Sequence, residues 1–356
     1  MNPPALRRPF SRVRSYGIVL VVAGTIVLVL ALVLAAGGFD VSTAFGALLC
    51  GAGGSSYAIF SATLVRAVPL IFTGLAVAVA FQGGILNIGA EGQLLAGAAA
   101  AAATALAVGE SLGSGAIWLG VMAAALAGAA WAAVPALLRR RFGVLEVIST
   151  IMMNFVALYG VGYLVRGPLQ EPTHIYPQSA SIPEATRLPW LLPGTRLHAG
   201  FVLALVAVAI AWYVLRFTAA GFRLRVVGAN PAAAASAGKI RVESVVTRAF
   251  LASGALAGIA GGVEVYGVTY ALYENLSPGY GYTAIAVALL AGLQPAYIIV
   301  SGVFLGALGA GAASMQREAG VPLALVSVVE AMIILAIVGG RVLLSRRQLP
   351  SAEAGS

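Results

Sequence analysis

The stretch Gly17-Ile-Val-Leu-Val-Val-Ala-Gly-Thr-Ile-Val-Leu-Val-Leu-Ala-Leu-Val-Leu-Ala-Ala-Gly-Gly38 carries no charged side chain. About 20 apolar residues in helical form cross the ~30 Å hydrocarbon layer of a bilayer, so this run is long enough to span it. Arg7, Arg8, Arg12 and Arg14 precede it, which imitates a secretory signal. The apolar region of such a signal is only about 7–15 residues, however. The reading is therefore an uncleaved first membrane helix whose N-terminus stays in the cytoplasm.

The same texture recurs outward from this run as far as residue 340. The 356 residues are 60% hydrophobic and only 9% charged, with a mean hydropathy of +0.97, whereas a soluble domain carries about a quarter charged residues. Windows of about 20 apolar residues place helices near 17–38, 60–81, 88–108, 115–138, 146–166, 200–217, 247–271, 283–295, 297–312 and 322–340. The expected fold is all-α, a polytopic transmembrane helical bundle of about ten spans, with a basic N-terminus (1–16), a membrane domain (17–340) and a tail (341–356). The breaks from Phe81 to Asn87 and at Gln294-Pro295 stand out, because short or Gly/Pro-interrupted spans often line a transport path.

Charge sets the orientation. Of the 21 Lys and Arg residues, 16 fall before the first span, at Arg139–Arg141, between 216 and 248, or after 340. Cytoplasmic loops concentrate Lys and Arg, so both termini are read as inside. The formal net charge of +9 is thus a topology signal and not a nucleic-acid footprint, since the basic residues sit in short clusters between spans. Two loops are long. The 167–199 stretch, outside, is rich in Pro and holds both histidines, His174 and His198. The 218–246 stretch, inside, contains Asn230-Pro231 before an alanine run, the signature of a short helix with Pro in its first turn.

The chemistry-bearing motifs are few. No G-x-x-x-x-G-K-[ST] loop is present, and the sole lysine, Lys239, lies between Gly238 and Ile240, so the chain has no phosphate cradle for ATP. The single cysteine, Cys50, excludes an intramolecular disulfide, and no Cys/His spacing fits a metal. Without a nucleophile, base and orienting acid near one another, no catalytic residue is assigned and the chain is not read as an enzyme.

Charged residues in or beside the spans are Arg66, Glu91, Glu146, Glu264 and Glu330. A charge at the bilayer centre costs roughly 2.5–3.5 kcal/mol on insertion scales, so each should face a cavity or a partner. Glu91 has two readings. Asn87 could cap a helix whose first turn holds Glu91, or Asn87, Glu91 and Gln93 could face a substrate. Glu146 reads as a helix start neutralised by the arginines before it. Asn154, mid-span, serves as interhelical glue or as a substrate contact. Tyr266, Tyr270, Tyr273, Tyr280 and Tyr282 form either an interfacial belt or a stacking surface for a flat ligand, with Tyr270 and Tyr280 as the candidates for contact. Leu86-Asn-Ile-Gly-Ala-Glu-Gly-Gln93 has a weak echo in Leu276-Ser-Pro-Gly-Tyr-Gly-Tyr-Thr283, which leaves an internal duplication open. Gly254, Gly258 and Gly262, like Gly302 and Gly306, mark close helix contacts.

The stretches Gly84-Ile-Leu-Asn-Ile-Gly-Ala-Glu-Gly-Gln-Leu-Leu-Ala-Gly97 and Glu146-Val-Ile-Ser-Thr-Ile-Met-Met-Asn154 resemble ABC importer permeases of the branched-chain amino acid and simple-sugar class, nearest the nucleoside subgroup. Gly221–Gly238 is similar to the segment of that class that rests on the ATPase. The resemblance covers most of residues 60–340. It implies inward transport of nucleosides, with simple sugars and branched-chain amino acids as alternatives, across the plasma membrane. It also implies ATPase subunits that hold ATP and Mg, a second and non-identical permease subunit, and an extracytoplasmic substrate-binding lipoprotein. Asn87, Glu91 and Asn154 would face the pathway, and Gly221, Arg223, Arg225, Gly228, Asn230, Pro231 and Gly238 would couple it to the ATPase. An ion-coupled carrier is the remaining alternative, and the lone membrane glutamates give it no obvious titratable pair.

Overall fold

The computed structural model describes residues 24, 25, 27–236, 238, 240–322, 325, 327, 328, 331 and 332. The chain divides into two units, residues 55–307 and residues 1–54 with 308–356. Most of the expected spans at 17–38 and 322–340, together with Lys239 and Glu330, lie outside the described residues.

In the larger unit, α3 (Ala58–Gln82), α4 (Ala90–Leu112), α5 (Gly115–Phe142), α6 (Glu146–Arg166), α7 (Gly200–Phe217) and α10 (Val242–Thr269) are each long and apolar enough to cross a membrane, as is α12 (Pro295–Ala319). Three helices are shorter, α8 (Ala219–Ala229), α9 (Pro231–Ser236) and α11 (Tyr280–Leu290). The expected span at 283–295 is thus an 11-residue helix, about 16 Å long and too short to cross the hydrocarbon layer alone. Long apolar helices among the described residues number seven. α6 and α7 keep the expected bounds, while Arg139–Arg141 carry α5 past its apolar window and Glu243 and Ser244 place the start of α10 ahead of its own. The short helix expected after Asn230 is α9, and α8 precedes it in the same segment. Asn230 accepts the Ala233 N–H at 3.0 Å, and Pro231 opens α9, the arrangement in which a missing Pro N–H does least harm.

α3 and α10 are the buried pair. α4 and α5 pack on α10, and α11 packs on α3. Glycine lets these backbones close on one another. A methyl placed on Gly258 would stand 2.1 Å from the Ala124 carbonyl oxygen, and one on Gly254 2.4 Å from the Gly128 carbonyl. On the far side of α3, Gly302 lies against Ile71 and Gly306 against Ala67.

At one end of this unit the 167–199 loop is fastened to the last turns of α10 and the segment after it. Ser179, Ile182 and Leu188 donate their N–H groups to the carbonyls of Leu272, Tyr270 and Tyr266 at 2.7, 2.8 and 2.9 Å. Arg166 pairs with Glu274 through both guanidinium nitrogens, one contact at 2.8 Å. At the opposite, basic end, Phe250, Val227, Leu224 and Ile85 form an apolar cluster, and Arg139 pairs with Glu146 at 3.3 Å.

In the smaller unit, α1 (Val27–Ala36) and α2 (Val41–Gly53) pack with the last part of α12 around Leu34, Ala47 and Met315. α2 was not expected. Its 13 residues fall below a membrane-length window, and its start is set by Asp40, whose carboxylate accepts the N–H groups of Ser42 and Thr43 at 2.8 and 3.1 Å. Such caps act through local hydrogen bonds that hydropathy does not register.

Gly258→Val should lower the stability of the detergent-solubilised protein by on the order of 1–3 kcal/mol through overpacking. Gly160→Val, on a face with nothing within 4 Å, should leave it unchanged, both read as thermal midpoints.

Candidate functional site

After α3 the chain reverses at Gly83 and Gly84 and returns as an extended strand of chain, Ile85-Leu-Asn-Ile-Gly89, before α4 begins. Asn87 meets Ser253, which lies roughly 16 Å along α10 from its first residue. α4 therefore starts partway across the layer. α11 starts at the same level, because the Gly281 N–H donates to a Glu91 carboxylate oxygen at 2.7 Å. The two stretches that echo each other in sequence, 86–93 and 276–283, thus meet at their helix starts.

A helix N-terminus exposes unpaired N–H groups and a partial positive charge. Glu91 stands in the first turn of α4 and accepts from the first turn of α11, so one buried carboxylate offsets two such ends. Around it the polar side chains are satisfied by the protein itself. Asn87 donates to Gln93 and Ser253 at 3.1 and 2.9 Å, and accepts from the Gly89 N–H and the Gln93 amide at 2.9 and 3.1 Å. Asn154 donates to the Ile88 carbonyl at 3.0 Å and to the Tyr282 hydroxyl at 3.3 Å, and accepts the Gly92 N–H at 2.8 Å. These bonds hold the extended strand and the helix start in place, as buried polar groups require. The helix cap expected at Asn87 is instead Gly89, and Asn87 supports it from two residues back.

A second polar layer lies beside this junction. Glu264 is 5% exposed and, among the described residues, its carboxylate has no hydrogen-bond partner in the protein. The charges of Arg66 and Arg196 act on it across space, with no ion pair at contact distance. Glu264, Arg66, Tyr273 and Glu91 all act on the Tyr280 hydroxyl. Burial, and then the charge of Glu264, push the Tyr273 hydroxyl above its ordinary value. A buried carboxylate left without a protein donor can receive hydrogen bonds from a ligand. Sequence reading sets Glu264, with Glu274, near the tyrosine run as an acceptor for ligand hydroxyls or amines, but it has no means of bringing Arg66 toward Tyr280.

The structure brings Asn87, Glu91, Gln93, Asn154 and Tyr280 to one place. Tyr270 stands apart from them. Its backbone is left-handed (φ 55), its ring lies 4.6 Å beneath the Arg187 guanidinium, and its hydroxyl donates to the Gly267 carbonyl at 3.2 Å, so it fastens the loop. Tyr266 is buried and donates to the Ala101 carbonyl at 2.8 Å, as part of helix packing. Among the described residues no three His, Cys, Asp or Glu side chains gather as a metal set.

The 221–238 residues form a separate cluster at the basic end. Gly221 lies against α7 at Val214 and Leu215, and Gly228 lies against Gln82 and Gly83, where an added methyl would stand 2.0 Å from the Gln82 carbonyl. Gly84, in a left-handed turn at φ +73, faces Gly228 in return. α8 is therefore in direct backbone contact with the turn that leads to Asn87 and Glu91. Arg223, Arg225 and Asn230 are exposed, and Gly238 turns with φ +69.

The chain is similar in sequence to known proteins. A family model described as "Branched-chain amino acid transport system / permease component" matches residues 59–338. The chain is 39% identical over 285 residues to the glucose ABC transporter permease protein TsgB13 of Haloferax volcanii, covering 77% of this chain and 74% of that one. It is 38% identical over 309 residues to the guanosine ABC transporter permease protein NupP of Bacillus subtilis, covering 86% and 88%. It is 32% identical over 322 residues to the nucleoside ABC transporter permease protein NupB of Lactococcus lactis, covering 86% of each.

His198, where the loop enters α7, is buried, and its Nδ1 accepts the Gly200 N–H at 3.2 Å. Burial, with a smaller contribution from Arg196, pulls its pKa from 6.5 to about 4. A base whose folded pKa is depressed contributes stability that is complete above its unfolded pKa and is lost as pH falls toward the folded one. Protection of the 167–199 loop from hydrogen exchange should accordingly fall between pH 6.5 and 4.5, and His198→Phe should abolish that dependence.

Proposed function

The chain belongs to the permease-component family of branched-chain amino acid transport systems and is a multi-pass membrane protein, and on that premise we propose that it forms the path of an ATP-binding-cassette importer for nucleosides. The observation that carries the substrate is the guanosine and nucleoside permeases, each aligned with 86% of this chain. The polar layer fits that ligand class in kind. Glu264 accepts from ribose hydroxyls or ring amines, Arg66 donates, and the Tyr280 ring offers a face to a base. Asn87, Gln93 and Asn154 act as positioning residues for the pathway, since their hydrogen-bonding groups are already committed, and Glu91 locks the two helix starts between which it would open. Tyr270 lies at the mouth, under the loop.

The glucose permease relative supports a second reading, a simple sugar, which the same carboxylate and arginine would also bind. In the proposed orientation the basic end, with Arg139–Arg141 and α8–α9, faces the cytoplasm, and the 167–199 loop faces outward toward a substrate-binding lipoprotein. An ATPase that holds ATP and Mg docks on α8 and α9, and a second permease chain completes the path in the plasma membrane. Movement of α8 reaches the pathway through the Gly228–Gly84 contact. A nucleotide can shift the inward–outward equilibrium only through contacts that differ between the two states, and this contact lies where such a difference would be felt.

Cells carrying the full transporter should take up labelled guanosine or adenosine, and cells lacking this gene should not. Preference for glucose or leucine over every nucleoside would overturn the substrate. Glu264→Gln should reduce nucleoside uptake at least tenfold at unchanged expression. Glu91→Gln should act mainly by lowering the amount of folded protein. In a reconstituted complex, Arg225→Glu should uncouple ATP hydrolysis from ligand without preventing membrane insertion, and ligand-stimulated hydrolysis at the wild-type level would remove Arg225 from the docking surface.

A further inference from the structure

α7 and α10 each pack on α3, and between them a groove of about 730 Å³ opens on the flank of the larger unit. Its two ends differ in chemistry. The upper part is walled by Ile210 and Val214 of α7 and by Ala252, Ala255 and Ile259 of α10, over a floor that includes Val79. At the basic end it is lined by Arg223 of α8 and by Arg241, Ser244 and Arg248. The three arginines are exposed, and among the described residues none has a carboxylate within ion-pair distance. Glu243, their acidic neighbour in sequence, does not line the groove.

Helical spacing explains the division. Residues 241, 244, 248, 252, 255 and 259 recur every three or four positions, so they form one stripe along α10. The stripe is cationic and hydroxylic at its start and apolar beyond it. The alanines at 252 and 255 are small, so the wall is recessed. From Arg248 to Ile259 the helix rises about 16 Å, the depth of one leaflet of a ~30 Å hydrocarbon core. A recessed apolar wall one leaflet deep, with unpaired guanidinium groups and a hydroxyl at its polar edge, matches a single amphiphile. It fits an acyl chain along the apolar wall and a phosphodiester at the basic edge, where arginine forks bind phosphate oxygens.

We infer that the α7–α10 groove is a binding site for an anionic glycerophospholipid, with its phosphate held by Arg241, Arg248 and Arg223 and an acyl chain lying along Ala252, Ala255 and Ile259. The site is independent of which solute the protein carries. Arg223 also belongs to the segment assigned to ATPase docking, so the bound lipid would lie beside that segment.

The test uses the full chain, delipidated in neutral detergent and titrated with phosphatidylglycerol, phosphatidylcholine or glycerol phosphate, with adducts counted by native mass spectrometry. Phosphatidylglycerol should be retained roughly tenfold more tightly than phosphatidylcholine. Arg241→Gln with Arg248→Gln should erase that preference, and the Arg→Lys pair should keep most of it. Ala255→Phe, which leaves every arginine in place, should weaken phosphatidylglycerol retention by filling the acyl wall. Equal retention of the two lipids by the wild type, or an undiminished preference in the Arg→Gln pair, would overturn the assignment. So would binding of glycerol phosphate as tight as that of the lipid, which would mark a site for soluble phosphate. A dimer that excludes lipid adducts until Ala255→Phe breaks it would instead mean that protein covers the groove.

Discussion

The carboxylate of Glu91 carries the architecture of the larger unit. Two helices, α4 and α11, begin inside the apolar layer, where no water is at hand to satisfy their first N–H groups. Each start also presents the positive end of a helix dipole. Bringing two such ends together without an anion would be unfavourable twice over, once for the unpaired donors and once for like partial charges. Glu91 answers both, because it belongs to the first turn of one helix and accepts the Gly281 N–H of the other. The same pairing makes burial of a glutamate tolerable.

The neighbouring polar groups follow from that constraint. An extended strand of chain must lead into α4, and its backbone needs partners. Asn154 supplies them to Ile88 and Gly92, and Asn87 supplies one to Gly89. Amides suit this work because each both donates and accepts. With these side chains committed to the protein, the polar groups of the next layer are chiefly Glu264, Arg66 and Tyr280, the ones proposed above to meet a solute. The distinction between residues that build a break and residues that face what passes through it rests on counting hydrogen bonds, and both kinds are equally polar in sequence.

Backbone contact links the layers. Gly258 and Gly254 let α10 lie directly on α5, while Gly228 and Gly84 set α8 on the turn after α3. A displacement of α8 has no side-chain cushion to absorb it before it reaches Ile85 and Asn87, since close-packed backbone transmits strain. At the other end, the hydrogen bonds from Ser179, Ile182 and Leu188 to the last turns of α10 and the segment after it tie the long loop to the second break. Each break in a helix is thereby attached to a surface element, one at each end of the unit.

Sequence alone determined that the chain is a helical membrane protein of the permease class, where the seven long apolar helices of the described residues lie, and that it lacks a phosphate loop. These properties are set by local composition and spacing, since a bilayer demands about 20 apolar residues per span and admits few charges. It also marked Asn87, Glu91 and Asn154 as unusual, because polar groups in such runs are rare. Hydropathy did not register α2, which owes its start to the Asp40 cap, or the 11-residue length of α11. Only the tertiary structure decided what the polar residues do. Glu91 and Gly281 are 190 positions apart, Asn154 and Tyr282 are 128 apart, and no periodicity within a helix specifies which groups from distant helices meet. That choice is made by glycine-mediated packing and by the need of every buried donor for a partner, and both act between helices.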